Sequence, residues 1–255
     1  MSDSVNSAAC GGAATQDIYW MRRALGLAQA SMFLSNPNPR VGCVIVQTGQ
    51  GGQVLAEGHT QAAGGRHAEA QALFEAQRRG VDVRGATAFV TLEPCSHTGR
   101  TPPCADALVQ AGLARMVCAV QDPNPLVAGQ GIARLRAAGL AVEVGVLEHE
   151  ARQLNIGFFS RMQRGRPWLR LKMAASLDGF TALPNGQSQW ITGQEARQDG
   201  HAWRARACAV LTGVGTILAD DPQLNVRGIT VQRQPHLLIV DSQLRTPATA
   251  KCIAA

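Results

Sequence analysis

Two stretches in the first half of the chain repeat one order of elements: a helix, an Ala-Gly-Leu-Ala step and an apolar strand. The first leads from ADALVQ (105–110) into ARMVCAV, and the second leads from GIARLRA (131–137) into LAVEV. A glycine just beyond a helix end adopts the left-handed conformation that stops the helix. Helices that alternate with short apolar strands predict an α/β fold, in which the helices pack over a central sheet.

The neighbouring segments extend the same pattern. Apolar residues at helical spacing predict a helix from Asp17 to Leu34, with Asp17 as its N-cap, after a flexible stretch over 1–16. Another helix is predicted over 67–80. Buried strands are predicted for VGCVIV, VLAEGHT and ATAFVTL, and TGQGGQ is predicted to join the first two as a hairpin loop. The first domain is therefore expected to span residues 17–147.

A second α/β domain is predicted over residues 148–255. A charged helix over 148–165 leads to a Gly-Arg-Pro break, and the predicted strand WLRLKMAAS follows. Lys172 lies inside that strand, where an unpaired buried lysine is costly. The pattern continues with one helix, QEARQDGHAWRARA, and with two strands, CAVLTGVG and PHLLIVD. This pattern of helices and strands ends early for an α/β domain.

Charge and cysteine usage limit the class of protein. The formal net charge is +6, and almost all of the positive charge comes from dispersed arginines. This indicates a solvated surface that suits an anionic small substrate, and it is weak evidence for nucleic acid. No apolar run reaches the length of a membrane span, and the N-terminus lacks a secretory signal pattern. Seven cysteines, an odd number, argue for a reducing compartment. We expect a cytoplasmic protein without a nucleic-acid or membrane partner.

The stretch TLEPCSHTGRTPPC places Cys95 and Cys104 nine residues apart, each behind a proline. Upstream, His67 and Glu69 open a predicted helix. One imidazole and two thiolates can hold a zinc ion and leave a fourth position for water, as a catalytic site requires. The H-x-E…P-C pattern is that of zinc nucleobase deaminases, in which the glutamate moves protons and is not a ligand. We predict one Zn²⁺ on His67, Cys95 and Cys104, with Glu69 as the catalytic residue.

Less specific interpretations exist for each of these residues. His67 and Glu69 could be solvated residues at a helix start, and the two cysteines could be spare thiols. A structural zinc would need a fourth protein ligand, for which His97 is the nearby candidate. At the level of function, the alternatives are a zinc deaminase that acts on tRNA or another nucleobase, and a non-catalytic module stabilised by zinc. The order, spacing and context of the four residues favour the deaminase.

Four stretches of the first half resemble one known family: NPNPRVGCVIV, HAE, TLEPCSHTGRTPPC and QDPNPLVAGQG. They are similar to the deaminase domain of the bifunctional riboflavin-biosynthesis deaminase/reductases. The resemblance implies a cytidine-deaminase-like three-layer α/β/α domain that deaminates diaminohydroxyphosphoribosylaminopyrimidine by hydrolysis. It also implies contacts to the pyrimidine and its phosphoribosyl group from Asn38, His59, His97, Arg100, Asp122 and Asn124.

The second half resembles the reductase domain of the same family through LRLKMAASLDG, SQWITG, TGVGTILADDPQLNVR and IVDSQ. The resemblance implies an incomplete dihydrofolate-reductase-like α/β domain, in which NADPH reduces the ribosyl group to ribityl. It places Lys172, Ala174, Trp190, Thr216, Asp220 and Ser242 along the NADP site, and it places Ser188, Arg204, Leu224 and Arg227 around the substrate. The family's reductase continues past the point that matches Ala255. We therefore expect this chain to deaminate but to reduce poorly or not at all, and its open strand edges make a homo-oligomer plausible.

Overall fold

A five-stranded sheet with the order β2-β1-β3-β4-β5 organises the first half of the chain. The computed structural model describes residues 7–47, 52–97 and 102–254. β1 pairs antiparallel with both β2 and β3, whereas β3, β4 and β5 run parallel. The strands are β1 (Gly42–Gln47), β2 (Gln53–His59), β3 (Thr87–Val90), β4 (Arg115–Cys118) and β5 (Ala141–Val144). All five predicted strands are present, and the loop expected between the first two falls largely on 48–51, outside the described residues.

Helices cover both faces of this sheet. They are α1 (Ser7–Ala30), α2 (Ala68–Arg78), α3 (Cys104–Gln110) and α4 (Gln130–Ala137). α1 packs so closely that a Cβ on Gly42 would lie 1.9 Å from the Ala24 carbonyl oxygen, and α2 packs on β2 in a similar way. Gly112 and Gly139 follow α3 and α4 with φ of 74° and 90°, which confirms the predicted helix stops. The first half is a three-layer α/β/α domain, as predicted.

α1 begins earlier than the sequence pattern indicated. The helix includes residues 7–16, so Asp17 lies inside it and is not its N-cap. The Asp17 carboxylate instead accepts hydrogen bonds of 2.9 and 2.6 Å from the guanidinium of Arg115. Burial leaves only 5% of Asp17 exposed, and the carboxylate raises the pKa of Arg115 above its usual value. A partly buried ion pair with β4 therefore explains the acidic residue that sequence analysis interpreted as a cap.

The predicted charged helix is two helices, α5 (Glu148–Leu154) and α6 (Ile156–Arg164), separated at Asn155. The Asn155 side chain accepts a hydrogen bond from the Arg40 backbone N–H and donates one to the Arg40 carbonyl, each at 2.8 Å. Ala151 and Phe159 join the core of the first domain. Because both helices pack there, the chain divides into units 1–168 and 169–255, and not after residue 147 as expected.

The second unit contains a two-stranded parallel sheet, formed by β6 (Ala209–Gly213) and β7 (His236–Val240). Its helices are α7 (Gln194–Arg206), α8 (Val214–Asp220) and α9 (Lys251–Ala254). The strand predicted for WLRLKMAAS is wrong, because no strand within the described residues pairs with it. Leu169 and Leu171 are 81% and 84% exposed, and Lys172 is exposed as well. Lys172 is therefore not the buried lysine that the sequence pattern indicated.

No helix within the described ranges combines the length and apolar character needed to span a bilayer.

Replacing Asn155 with alanine should destabilise the first unit. The partly buried Arg40 backbone N–H and carbonyl would both lose the Asn155 side chain as their partner, and an unsatisfied buried group costs about 1–3 kcal/mol. We expect a lower denaturant midpoint for Asn155→Ala, measured by tryptophan emission, to which the buried Trp20 contributes together with Trp168, Trp190 and Trp203. Gln153→Ala is the matched control, because Gln153 is an exposed residue of α5. Equal midpoints for the two variants would show that the Asn155 contacts do not stabilise this unit.

Candidate metal centre and pocket

Three potential metal ligands converge at the starts of two helices and the end of one strand. His67 is the residue before α2, where an extended backbone and the absence of a side-chain cap leave its imidazole available. Its Nδ1 lies 3.6 Å from the Cys95 Sγ and 3.4 Å from the Cys104 Sγ. Cys95 follows β3, and Cys104 is the first residue of α3. The three ligand atoms lie within 4.8 Å of one another.

The charges of the two sulfurs are coupled. A hydrogen bond from Cys104 lowers the pKa of the Cys95 thiol below its usual value, and His67 contributes in the same direction. The same contact raises the pKa of Cys104. The Cys104 backbone N–H also donates to the Cys95 Sγ at 3.3 Å. The hydrogen bond to Cys95 raises the pKa of His67 as well, so thiolate and imidazolium stabilise each other.

This donor set fits zinc. One imidazole nitrogen and two thiolates are typical zinc ligands, and three protein ligands are typical of catalytic sites. In the part of the chain that the structure describes, no fourth His, Cys, Asp or Glu belongs to the cluster. His97, the candidate for a closed structural site, is exposed and lies outside it. The arrangement therefore favours an open site over a closed one.

Glu69 lies in the first turn of α2, two residues after His67, and is only 3% exposed. Burial, followed by the negative charge of Cys95, raises the pKa of its carboxyl to about 7. A carboxyl group in that range can take up and release a proton near neutral pH. The structure thus brings the expected proton carrier next to the expected metal ligands.

A cavity of about 250 Å³ opens above this cluster. Four residues that the sequence assigned to substrate line it: Asn38, His97, Asp122 and Asn124. His59 is not among the described residues that line the cavity. Its Nδ1 contacts the Ser31 hydroxyl at 3.1 Å, and the adjacent Thr60 lines the wall. Arg100 lies outside the described residues.

Glu93 is a buried member of the cavity wall that sequence analysis missed. Its carboxylate accepts four backbone hydrogen bonds of 2.9 to 3.2 Å, from the N–H groups of Asp122, Gly129, Gly131 and Ile132. These bonds connect the segment before Cys95 to the loop that carries Asp122 and Asn124. The only sequence signal was an acidic residue directly after a buried strand, in TLEP.

A second missed group comes from α6. Phe158, Arg161 and Met162 line the same cavity. Their spacing of three and four residues places them on one face of the helix. The spacing is visible in the sequence, but a helix assigned to the second domain gave no reason to place it at this site.

In the second unit the structure brings two of the expected substrate residues together. Arg204 donates to the Asn225 carbonyl at 2.6 Å, and the guanidinium of Arg227 donates to the Asn225 side chain. The Arg227 backbone N–H donates to the His201 Nδ1 at 3.2 Å. Burial, and then the charge of Arg227, lower the pKa of Arg204. Two adjacent cationic groups of this kind favour an anionic ligand.

The other residues expected in the second unit are spread over several segments, and of these Thr216 and Asp220 share α8. Leu224 is next to Asn225 and has a positive φ of 55°. Trp190 is 71% exposed, with the Arg197 guanidinium 4.5 Å from its ring centroid. The remaining expected residues are partly or fully exposed: Lys172, Ala174, Ser188, Thr216, Asp220 and Ser242.

Comparison with known protein families divides the chain as the fold does. The model of the cytidine and deoxycytidylate deaminase zinc-binding region matches residues 14–120, and the model of the RibD C-terminal domain matches residues 167–255. This confirms the predicted order, a cytidine-deaminase-like domain followed by a reductase-type domain.

Curated relatives match both units together. The chain is 53% identical over 232 residues to the riboflavin biosynthesis protein RibD of Escherichia coli, a match that covers 91% of this chain and 62% of the relative. It is 46% identical over 237 residues to RibD of Aquifex aeolicus, which covers 93% and 65%. The chain therefore spans less than two thirds of the length of these relatives.

Solved structures agree with the sequence matches. Acinetobacter baumannii RibD is 49% identical with a TM-score of 0.87, and the match covers 94% of this chain and 67% of that one. A Thermotoga maritima diaminohydroxyphosphoribosylaminopyrimidine deaminase/5-amino-6-(5-phosphoribosylamino)uracil reductase is 41% identical with a TM-score of 0.85, covering 90% and 64%. By sequence and by fold, this chain belongs to the RibD family of riboflavin biosynthesis proteins.

Proposed function

We propose that this chain deaminates diaminohydroxyphosphoribosylaminopyrimidine by zinc-dependent hydrolysis, as a step of riboflavin biosynthesis. The observation that carries the proposal is the convergence of one imidazole nitrogen and two sulfurs beside the buried carboxyl of Glu69. The names of the related proteins support the pathway and the substrate. Seven cysteines, an odd number, are consistent with action in a reducing compartment.

In this proposal His67, Cys95 and Cys104 hold the zinc ion. When bound, zinc acts as a Lewis acid that lowers the pKa of a water molecule to near neutrality. The Glu69 carboxylate accepts a proton from the attacking water and delivers protons to the ring nitrogen and to the amino group. The new bond joins oxygen to the ring carbon, the carbon–nitrogen bond breaks, and ammonia leaves.

Polar groups of the cavity orient the pyrimidine. Asn38 and Asn124 offer both donors and acceptors, as an amide side chain does. Asp122 is held by its bond to the Asn124 N–H at 2.8 Å, and burial raises the pKa of its carboxyl to about 6. His97, on the segment after Cys95, is exposed at the cavity edge, where it can contact the phosphoribosyl group. We assign Arg100 to the same role, as the family resemblance implies.

Reduction by NADPH is a second activity to which the second unit contributes. The specific observation is the pair formed by Arg204 and Arg227 around Asn225, a suitable place for a phosphate group. The residues expected for NADPH offer an ammonium group (Lys172), a hydroxyl (Thr216) and an exposed aromatic ring (Trp190), which fit phosphate, ribose and nicotinamide in chemical type. When bound, NADPH supplies hydride. The protein groups bind and orient the two reactants.

Ammonia release is the test that separates the deaminase from the two alternatives. The zinc-loaded chain should release ammonia from the pyrimidine nucleotide. Turnover on tRNA without turnover on the nucleotide would support a nucleic-acid deaminase. Bound zinc without ammonia release from either substrate would support a non-catalytic module.

Zinc content should depend on Cys104. We expect about one zinc per chain in the wild type and much less in Cys104→Ser, because serine replaces a thiolate with a hydroxyl that stays protonated at neutral pH. Cys208→Ser, at an exposed cysteine of the second unit, is the control and should keep its zinc. Elemental analysis of the purified proteins measures both. Equal zinc content in the two variants would show that Cys104 is not a ligand and would refute the proposed zinc site.

Glu69→Gln should retain zinc and fold but lose activity. Glutamine keeps the size of the side chain and cannot carry the proton, so we expect a loss of about 10²- to 10⁴-fold in kcat. Glu75→Gln is the control on the same helix, where Glu75 forms a surface ion pair with Arg78. An ammonia-release rate in Glu69→Gln near that of the control would place the proton carrier elsewhere.

The reductase proposal is tested by the absorbance of NADPH in the presence of the deaminated product. We expect oxidation that requires both compounds, even if it is slow beside ammonia release. It should fall further in Arg227→Ala and should not change in Arg245→Ala, at an exposed arginine of the same unit. No oxidation by a chain that releases ammonia would contradict the reductase activity and leave the deaminase proposal intact.

A further inference from the structure

The face of α6 that lines the cavity carries one cation between two apolar side chains. Phe158 and Met162 form an apolar wall, and the exposed Arg161 lies between them along the helix. Of the described residues that line the cavity, Arg161 is the only lysine or arginine. The α6 wall therefore adds a permanent positive charge to a pocket whose other ionisable groups are carboxylates, cysteine and histidines.

α6 is held firmly in this position. Asn155, immediately before the helix, is bonded to both backbone polar groups of Arg40, two residues after Asn38. Phe159 is buried in the core next to the lining residue Phe158. Ser160 donates a hydrogen bond of 2.9 Å to the Arg166 carbonyl, beyond the helix end. These contacts fix the lining face of α6 relative to the loop that carries Asn38.

Arg161 has no partner within the described ranges. No carboxylate forms an ion pair with it, and its guanidinium makes no hydrogen bond there. Three other arginines of the first unit, Arg115, Arg134 and Arg152, each pair with a carboxylate. Arg164 also lacks a carboxylate partner within the described ranges, but it does not line the cavity. An arginine that lines a cavity and keeps all its donors available is arranged for a ligand, not for the fold.

The carboxylates that line the cavity do not form ion pairs with Arg161. Glu93 is occupied by four backbone N–H groups, Asp122 accepts the Asn124 N–H, and Glu69 lies buried beside the metal ligands. A simpler explanation for Arg161 is a favourable interaction with the C-terminal end of the helix. Arg164 lies in the same last turn and does not line the cavity, so it provides a control for that explanation.

We propose that Arg161 binds the phosphate group of the substrate at the α6 side of the cavity. The proposal rests on the proposed deaminase function and adds a residue from α6, a helix that the sequence pattern had assigned to the second domain. A guanidinium presents two parallel N–H donors that match two phosphate oxygens, and it carries its charge at every physiological pH. The pyrimidine ring then extends from this wall towards Glu69 and the metal ligands.

The kinetic test compares the phosphorylated pyrimidine substrate with its dephosphorylated form. For Arg161→Ala we expect a rise of about 10- to 100-fold in KM on the phosphorylated substrate, with kcat changed less than about threefold, because the lost contact is a charge-assisted hydrogen bond away from the reacting atoms. On the dephosphorylated substrate the variant should match the wild type. Arg161→Lys should recover part of the loss, and Arg164→Ala should behave as wild type on both substrates.

Two kinetic outcomes overturn the proposal. An equal loss on both substrates would show that Arg161 acts through the fold of the pocket, and an unchanged KM on the phosphorylated substrate would show that it makes no phosphate contact.

A binding measurement tests Arg161 without relying on turnover. Ribose 5-phosphate is titrated into the zinc-loaded chain by calorimetry, with Arg227→Ala as the common background, so that the arginine pair of the second unit does not contribute. We expect binding to weaken at least about tenfold on adding Arg161→Ala, and not on adding Arg164→Ala. Unchanged binding would refute the phosphate site. If the wild type released no ammonia, the proposed function would fail, and this titration would still decide whether Arg161 binds phosphate.

Discussion

The carboxylate of Glu93 is the contact on which the arrangement of the pocket depends. Burying a charge is costly unless donors compensate it, and here four backbone N–H groups do so. Three of the donors belong to Gly129, Gly131 and Ile132, around the start of α4, and the fourth belongs to Asp122. One side chain thus fixes the cysteine-bearing segment, the first turn of α4 and the loop that carries Asp122 and Asn124 in a single arrangement. Loss of the carboxylate would leave several buried N–H groups without an acceptor.

The electrostatics of the candidate metal centre also depend on charged groups that lie close together and are largely shielded from solvent. The contact between the two thiols lowers the pKa of Cys95 and raises that of Cys104, and the charge of Cys95 raises the pKa of Glu69. A cation held by the three ligands would oppose the repulsion between Cys95 and Glu69. It would also favour loss of the Cys104 proton. Metal affinity and the proton affinity of Glu69 are therefore coupled, and each must change when the other does.

Much of the first domain could be predicted from sequence because its signals are local. Each strand is a short apolar run, each helix has its own spacing, and Gly112 and Gly139 mark helix ends. The candidate ligands were also recognisable, since His67, Cys95 and Cys104 form a known pattern with the expected elements between them. The contacts that complete the pocket are different in kind. Glu93 reaches partners 29 to 39 residues away, and Asn155 reaches Arg40 across 115 residues, and no local pattern encodes either contact.

The incorrect predictions from sequence also arise because contacts distant along the chain are not encoded in a local pattern. Asp17 has the composition of a helix cap, but an arginine on β4, far along the chain, determines its role. The alternating residues from Leu169 to Met173 have the pattern of a strand, but a strand needs a hydrogen-bonded neighbour, and none of the described strands provides one. Local pattern gave the type of element correctly where the partner was near in sequence. It failed for Asp17, whose partner is distant in sequence, and for residues 169–173, which pair with none of the described strands.

The packing of α5 and α6 on the first domain has a consequence for dissecting the protein. The motif boundary at Leu147 suggests a fragment that would retain every candidate zinc ligand and Glu69. Such a fragment would lack Asn155, Phe158 and Arg161, and its cavity would be open on the side that α6 now covers. A gene fragment that ends at Trp168 preserves that wall. The segment that the sequence pattern assigned to the second domain is, in structural terms, the last part of the first.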